Sequence, residues 1–183
     1  MNIFGYVVII FVVAFTLKIY FESDLFQLKC IMSDEDGNTY CVRETPKLEM
    51  VADLLARVTG KLKELVNYMA EKYPTRENVQ RMKERFNPKK ISETLPTSTY
   101  TAYSENKGEK IAFCTTTTKT GTKLIDENTL TFVAIHELGH VMSESVGHNK
   151  EFWENFKFLL KNAVKMWIYE HVDYKKKPKN YWC

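Results

Sequence analysis

An uncharged apolar run from Ile3 to Leu17 (IFGYVVIIFVVAFTL) sets the N-terminus of this chain apart from any globular core. It continues past Lys18 through Ile19, Tyr20 and Phe21. As a helix rising ~1.5 Å per residue, the stretch spans roughly 28 Å, about the thickness of one bilayer core. Lys18 can reach the headgroups, and Tyr20 suits the interface. A cleaved signal peptide would carry a basic segment before the run and small residues after it. Here only Asn2 stands between Met1 and the run, and Lys-Ile-Tyr-Phe-Glu follows Leu17. A helix buried in a soluble core would normally keep a polar face, and this one has none. The reading is a single transmembrane helix that places residues 3–21 in a lipid bilayer. No Lys or Arg precedes the run, while Lys18 and Lys29 follow it, which puts the rest of the chain on the cytosolic side.

The remainder of the 183 residues suffices for one domain with its own core. An apolar fraction of 44% excludes a disordered chain, and a net charge of +3 indicates no dedicated nucleic-acid-binding surface. The four cysteines, Cys30, Cys41, Cys114 and Cys183, form no C-x-x-C pair, so a zinc knuckle is not expected. They read as free thiols, with Cys30 and Cys41 the first pair to test otherwise. Residues 22–38 read as a juxtamembrane connector ending in the polar turn Ser33-Asp-Glu-Asp-Gly-Asn38, and residues 39–183 as the folded domain. The basic run Lys175-Lys-Lys-Pro-Lys179 reads as a solvated tail.

Within the domain, Thr39–Arg43 suggests a short strand. Thr45 and Pro46 suggest a helix start. Leu48, Val51, Leu55, Val58, Leu62, Leu65 and Met69 recur at three- and four-residue steps, predicting one long amphipathic helix that ends before Pro74. A second helix is expected from Thr75 to the Asn87-Pro88 stop. Thr99–Tyr103 and Lys110–Thr116 flank a turn at Asn106-Lys107-Gly108 and predict a β-hairpin, with the run Thr115–Thr118 suited to an edge strand. Asp126 or Asn128 then caps another helix, and Asn149, after Gly147, caps a last one through Ala163 or beyond. The order of elements is that of an α+β fold.

The chemistry concentrates in His136-Glu137-Leu138-Gly139-His140. Histidines four apart on a helix project from one face and can direct two nitrogens to one zinc ion at about 2.0–2.1 Å. Glu137 is rotated ~100° from His136, beside such a metal, where a carboxylate can act as general base toward water. The flanking Ala134, Ile135, Leu138, Val141 and Met142 make the helix apolar, and a buried carboxylate beside two imidazoles needs a partner. His148, behind Gly147, is the expected third metal ligand; Glu154 is its rival. Glu144 could face the site from outside the ligand set, and His171 reads as a surface residue. Phe152, Trp153 and Phe156 should pack the last helix on the motif helix. Tyr100 and Tyr103 are conceivable donors to an oxyanion, although strand tyrosines more often serve packing.

His136-Glu-Leu-Gly-His140, then Gly147-His148, then Glu151-Phe152-Trp153 resembles the SprT-like and WLM metallopeptidases. Tyr103-Ser-Glu-Asn-Lys-Gly-Glu-Lys-Ile111 is similar to small WLM-type proteins of large DNA viruses. The resemblance spans about residues 40–175, and its diagnostic part is the His/Glu pattern. It implies a zincin-like fold and one Zn2+ held by His136, His140 and His148. It also implies Glu137 as base and a polypeptide substrate. Cellular relatives process proteins attached to DNA; this chain shows no zinc ribbon or nucleic-acid-binding module and carries an anchor instead. The expectation is a membrane-anchored zinc metallopeptidase, a hydrolase, with the 99–116 hairpin as the edge on which an extended peptide is laid. The alternative is a non-enzymatic membrane-anchored structural or interaction protein whose zinc site only stabilises the fold. Glu137 separates the two, because a closed structural site needs no carboxylate beside the metal. A zinc hydrolase acting on something other than peptides fits the motif as well.

Overall fold

The computed structural model describes residues 3–22, 28–117 and 123–174. The basic run 175–179, Cys183 and Thr118 lie outside these residues. The N-terminal apolar run forms helix α1 (Ile3–Glu22), and none of Ile3–Tyr20 is buried against the rest of the protein. Its mean hydropathy of 2.3 over 18 residues suits a membrane span, and suits a signal sequence equally.

The folded part is α+β, with one mixed five-stranded sheet. Its strands are β1 (Leu28–Met32), β2 (Thr39–Arg43), β3 (Ile91–Glu93), β4 (Ala102–Glu105) and β5 (Lys110–Phe113), in the order β1-β2-β3-β5-β4. The outer pairs β1–β2 and β4–β5 are antiparallel hairpin partners, while β2–β3 and β3–β5 run parallel. Parallel neighbours need a crossover, and α2 (Leu48–Lys72) with α3 (Glu77–Arg85) supplies the one between β2 and β3. The stripe read on α2 is its buried face: Val51, Leu55, Val58, Leu62, Leu65 and Met69 are all shielded, packed on the sheet and on α4 (Glu127–Met142). Each such side chain contributes about 1.5–3 kcal/mol on leaving water. Helix α5 (Lys150–Lys165) closes over the other side of α4.

Several boundaries differ from expectation. Helix α2 begins at Leu48, because Thr45 and Pro46 form a turn in which the Thr45 carbonyl accepts the Leu48 amide. Helix α3 begins at Glu77, two residues after Thr75. The expected connector 22–38 contributes β1, which gains its pairing from β2 rather than from any alternation of its own. The edge strand is β4, not the Thr run; Thr115 and Thr116 turn inward and are buried, with Thr116 bridging to Leu124. The Thr115 hydroxyl donates to Oε1 of Glu93 at 2.6 Å, and the Arg43 amide donates to Oε2 at 2.6 Å. Burial pushes the Glu93 carboxyl up, and these donors with Arg43 oppose the rise. The network ties β2 and β3 to the chain just past β5 where backbone bonds alone would leave a polar seam.

The cysteines are the other correction. Cys30 and Cys41 stand directly opposite in the β1–β2 register and form a disulfide, so they are not thiols. No described cysteine is a free thiol.

Candidate metal centre

The Asp126 side chain caps α4 by accepting the Thr129 amide at 3.0 Å, which fixes where the helix begins and so which residues face the sheet. His136 and His140 then emerge from one side of α4. The helix ends at Met142, and the chain turns through 143–148, where Gly147 adopts φ +84°. A side chain at that φ would be strained, and glycine permits the reversal that returns His148 to the first two histidines. Asn149 restarts the helix by accepting the Phe152 amide at 3.1 Å.

The three imidazoles converge. Their ligand nitrogens lie within 4.8 Å of one another, and Nε2 of His148 is 2.9 Å from Nε2 of His136. Nitrogens bound to one tetrahedral zinc at 2.0–2.1 Å lie a little over ~3 Å apart, so this arrangement needs only a small adjustment to hold the ion. Phe152 forms the floor. It is fully buried, with ring centroids 4.8 Å from His136, 4.3 Å from His140 and 4.7 Å from His148. Gly139 lets α5 approach this closely, since a β-carbon there would come within 3.2 Å of the Phe152 ring.

Burial, then the neighbouring His140 and His148, pushes the His136 imidazolium down to about 4. His140 is lowered to about 4 by burial, then by His148 and Lys107. Both rings are therefore neutral at pH 7, the form in which imidazole binds a metal. Glu137 is 6% exposed, and burial raises its carboxyl to about 7. All four residues line a cleft of about 700 Å³. Its other wall is the chain from Tyr100 to Ser104, including edge strand β4, with Asn106 and Lys107 from the following turn.

The other candidates separate cleanly. Glu154 pairs with Lys150 at 3.8 Å on the solvent side of α5, with a side chain 67% exposed, and is no part of the cluster. Glu144 is also exposed and pairs with Arg81 at 3.0 Å. His171 is exposed and apart from the cluster. Phe152 and Phe156 are buried as expected, whereas Trp153 is half-exposed, its ring 5.9 Å from His148. Tyr100 and Tyr103 both line the cleft, in edge contact at 6.3 Å. Lys107 is the cleft residue that sequence reading missed: in Asn106-Lys107-Gly108 it signalled a turn and nothing more.

The buried carboxylate has a measurable cost. Glu137 binds its proton more tightly in the folded chain, so this residue's own contribution to the stability of metal-free protein falls as pH rises from about 4.5, the ordinary value, to about 7. The full loss, present above pH 7, is about 3 kcal/mol. Glu137→Gln removes the charge and keeps the shape. In chelator-treated protein at pH 8 it should melt several degrees above wild type, with the difference vanishing toward pH 4.5. Thermal melts of both proteins across that range check this, and a constant difference would mean that the carboxylate is not the cause.

No protein-family profile matches the chain. No solved structure matches it. Among curated proteins it is 32% identical over 155 residues to uncharacterized protein R325 of Acanthamoeba polyphaga mimivirus, covering 82% of this chain and 78% of that one. It is also 33% identical over 72 residues to uncharacterized protein 136R of Invertebrate iridescent virus 6, covering 39% of this chain and 40% of the relative. Both relatives are viral, and the first match spans most of both chains: this chain belongs to the virus protein family that includes mimivirus R325.

Proposed function

We propose that the protein is a membrane-anchored zinc metallopeptidase of zincin-like, SprT/WLM-type architecture, with His136, His140 and His148 as ligands and Glu137 as general base. The observation that carries this reading is the convergence of three histidines with a buried carboxylate in an open cleft. Zinc bound there would supply Lewis acidity and make a coordinated water far more acidic. The Glu137 carboxylate would take the proton from the attacking water and return it to the amine nitrogen that leaves. Burial raises the proton affinity of this carboxyl, which suits a group that must take up a proton and later release it. Among the described residues strand β4 has β5 on one side only, so its other edge can pair with an extended peptide and hold it along the cleft. The non-enzymatic alternative fits less well, since a metal site built only for stability gains nothing from a destabilising carboxylate in a cleft this open.

Helix α1 would tether this domain to a bilayer. Lys18 and Lys29 favour the cytosolic face, but the Cys30–Cys41 bridge favours the oxidising one, and a disulfide is the stronger constraint on compartment. We therefore place the domain on the non-cytosolic side.

Full-length protein purified in detergent should carry one equivalent of zinc by elemental analysis and cleave an unfolded protein substrate. A strong chelator should abolish cleavage, and added zinc should restore it. Absence of bound zinc, or cleavage indifferent to its removal, would refute the assignment.

A further inference from the structure

The turn between β4 and β5 does more than reverse the chain. Asn106, Lys107 and Gly108 all have positive φ, at 46°, 60° and 112°. Gly108 is pressed onto the end of α4: a β-carbon there would lie 2.8 Å from Cγ1 of Val141 and 2.9 Å from the Arg85 carbonyl oxygen. The Asn87 amide donates to the Gly108 carbonyl at 3.3 Å and holds the turn from the other side. Lys107, held between these contacts, extends its Nζ over the C-terminal end of α4. It donates to the Ser143 carbonyl at 3.4 Å and to the Ser145 carbonyl. These carbonyls belong to the segment that leaves α4 and reaches His148 three residues after Ser145. Carbonyls at a helix C-terminus carry partial negative charge and attract an ammonium.

The same segment is gripped from its far side. The Glu151 carboxylate accepts the Glu144 amide at 2.8 Å and the Ser145 amide at 3.0 Å, and Arg81 donates to the Met142 carbonyl at 2.9 Å. Those tethers come from α5 and α3, behind the loop. Among the described residues, the side-chain tether from the hairpin that forms the opposite wall of the cleft is Lys107. Past Ser145, Val146 is 86% exposed and Gly147 has a positive φ, so residues 143–145 set how the loop delivers His148 to its ring contacts with Phe152 and Trp153.

We infer that Lys107 is a positioning residue for the third zinc ligand: its ammonium ties the turn of the edge-strand hairpin to the loop carrying His148, so that the cleft wall and the metal site are set by one cation. This rests on the zinc reading above. Lys107 is not one of the three clustered ligands. It acts through backbone carbonyls, which a second two-pronged cation can also engage.

The test compares full-length wild type, Lys107→Met and Lys107→Arg in detergent. Zinc affinity is measured by chelator competition, the visible absorption of the cobalt(II)-substituted protein reports ligand geometry, and metal-free melting reports the fold. Lys107→Met should bind zinc about 10–100-fold more weakly, the range typical when support of a ligand is lost. Its cobalt bands should change, its metal-free melting should not, and Lys107→Arg should recover most of the affinity. Zinc affinity within twofold of wild type in Lys107→Met would overturn the inference and leave the zinc assignment standing. So would a fall in metal-free melting that accounts for the affinity loss, since the role would then be structural. A wild-type protein that binds no zinc would reject the metal assignment itself, and this inference with it.

Discussion

Glu137→Gln protein is expected to keep its zinc and its fold while losing ~10²–10⁴ of its hydrolytic rate, the usual contribution of a general base. The substitution replaces one carboxylate oxygen by an amide nitrogen of nearly equal size. In a site where Glu137 is 6% exposed, that preserves packing and removes only the capacity to accept a proton. On the proposed reading the zinc should remain, because the three histidines that could hold it, His136, His140 and His148, are untouched. The metal-free stability gain argued above provides an internal control. A variant that is more stable, still loaded and inactive cannot be explained by damage to the fold. Undiminished hydrolysis by purified, zinc-loaded Glu137→Gln protein would sink the role assigned to this residue. A rate lost together with the zinc would show that the carboxylate supports the metal instead.

What the sequence made legible is what depends on local spacing. Two histidines four apart share a helix face whatever surrounds them, and Asp126 and Asn149 cap their helices through side chains one turn away. The α2 stripe was readable for the same reason. Strands β1 and β3 were not, because Leu28–Met32 and Ile91–Glu93 lack a pattern of their own and become strands only by pairing with β2 and β5. The Cys30–Cys41 bridge follows from that pairing: eleven residues apart in sequence, the two cysteines meet only when the β1–β2 register sets them opposite. Lys107 belongs to the same category. Its reach to Ser143 and Ser145 exists because a turn is docked on a helix end thirty-odd residues along the chain, a juxtaposition that no local signal carries. His148 lies between the two cases. Its identity and the glycine before it were visible, but its convergence on His136 is a property of the folded loop.

His148→Ala is expected to lower zinc affinity well beyond the ~10–100-fold typical of changes behind the ligands, whereas Glu154→Ala should leave it near wild type. The two residues were the rivals for the third position, and they now have different surroundings. His148 brings Nε2 to 2.9 Å from Nε2 of His136, with its ring held between Phe152 and Trp153 at 4.7 and 5.9 Å. Glu154 is directed by α5 to the solvent side, where it pairs with Lys150, because Phe152 and Phe156 occupy the face of that helix turned toward α4. For Glu154 to bind the metal, α5 would have to rotate and withdraw the Phe152 floor from under all three imidazoles. That would expose a fully buried aromatic ring and open a cavity costing about 3–5 kcal/mol. Removing His148 leaves two protein ligands, which should reduce both affinity and selectivity for zinc. Elemental analysis after dialysis and a chelator competition titration on both variants decide the matter. Near-wild-type affinity in His148→Ala with collapse in Glu154→Ala would move the site to a His-His-Glu ligand set and require α5 to pack differently from the arrangement described here.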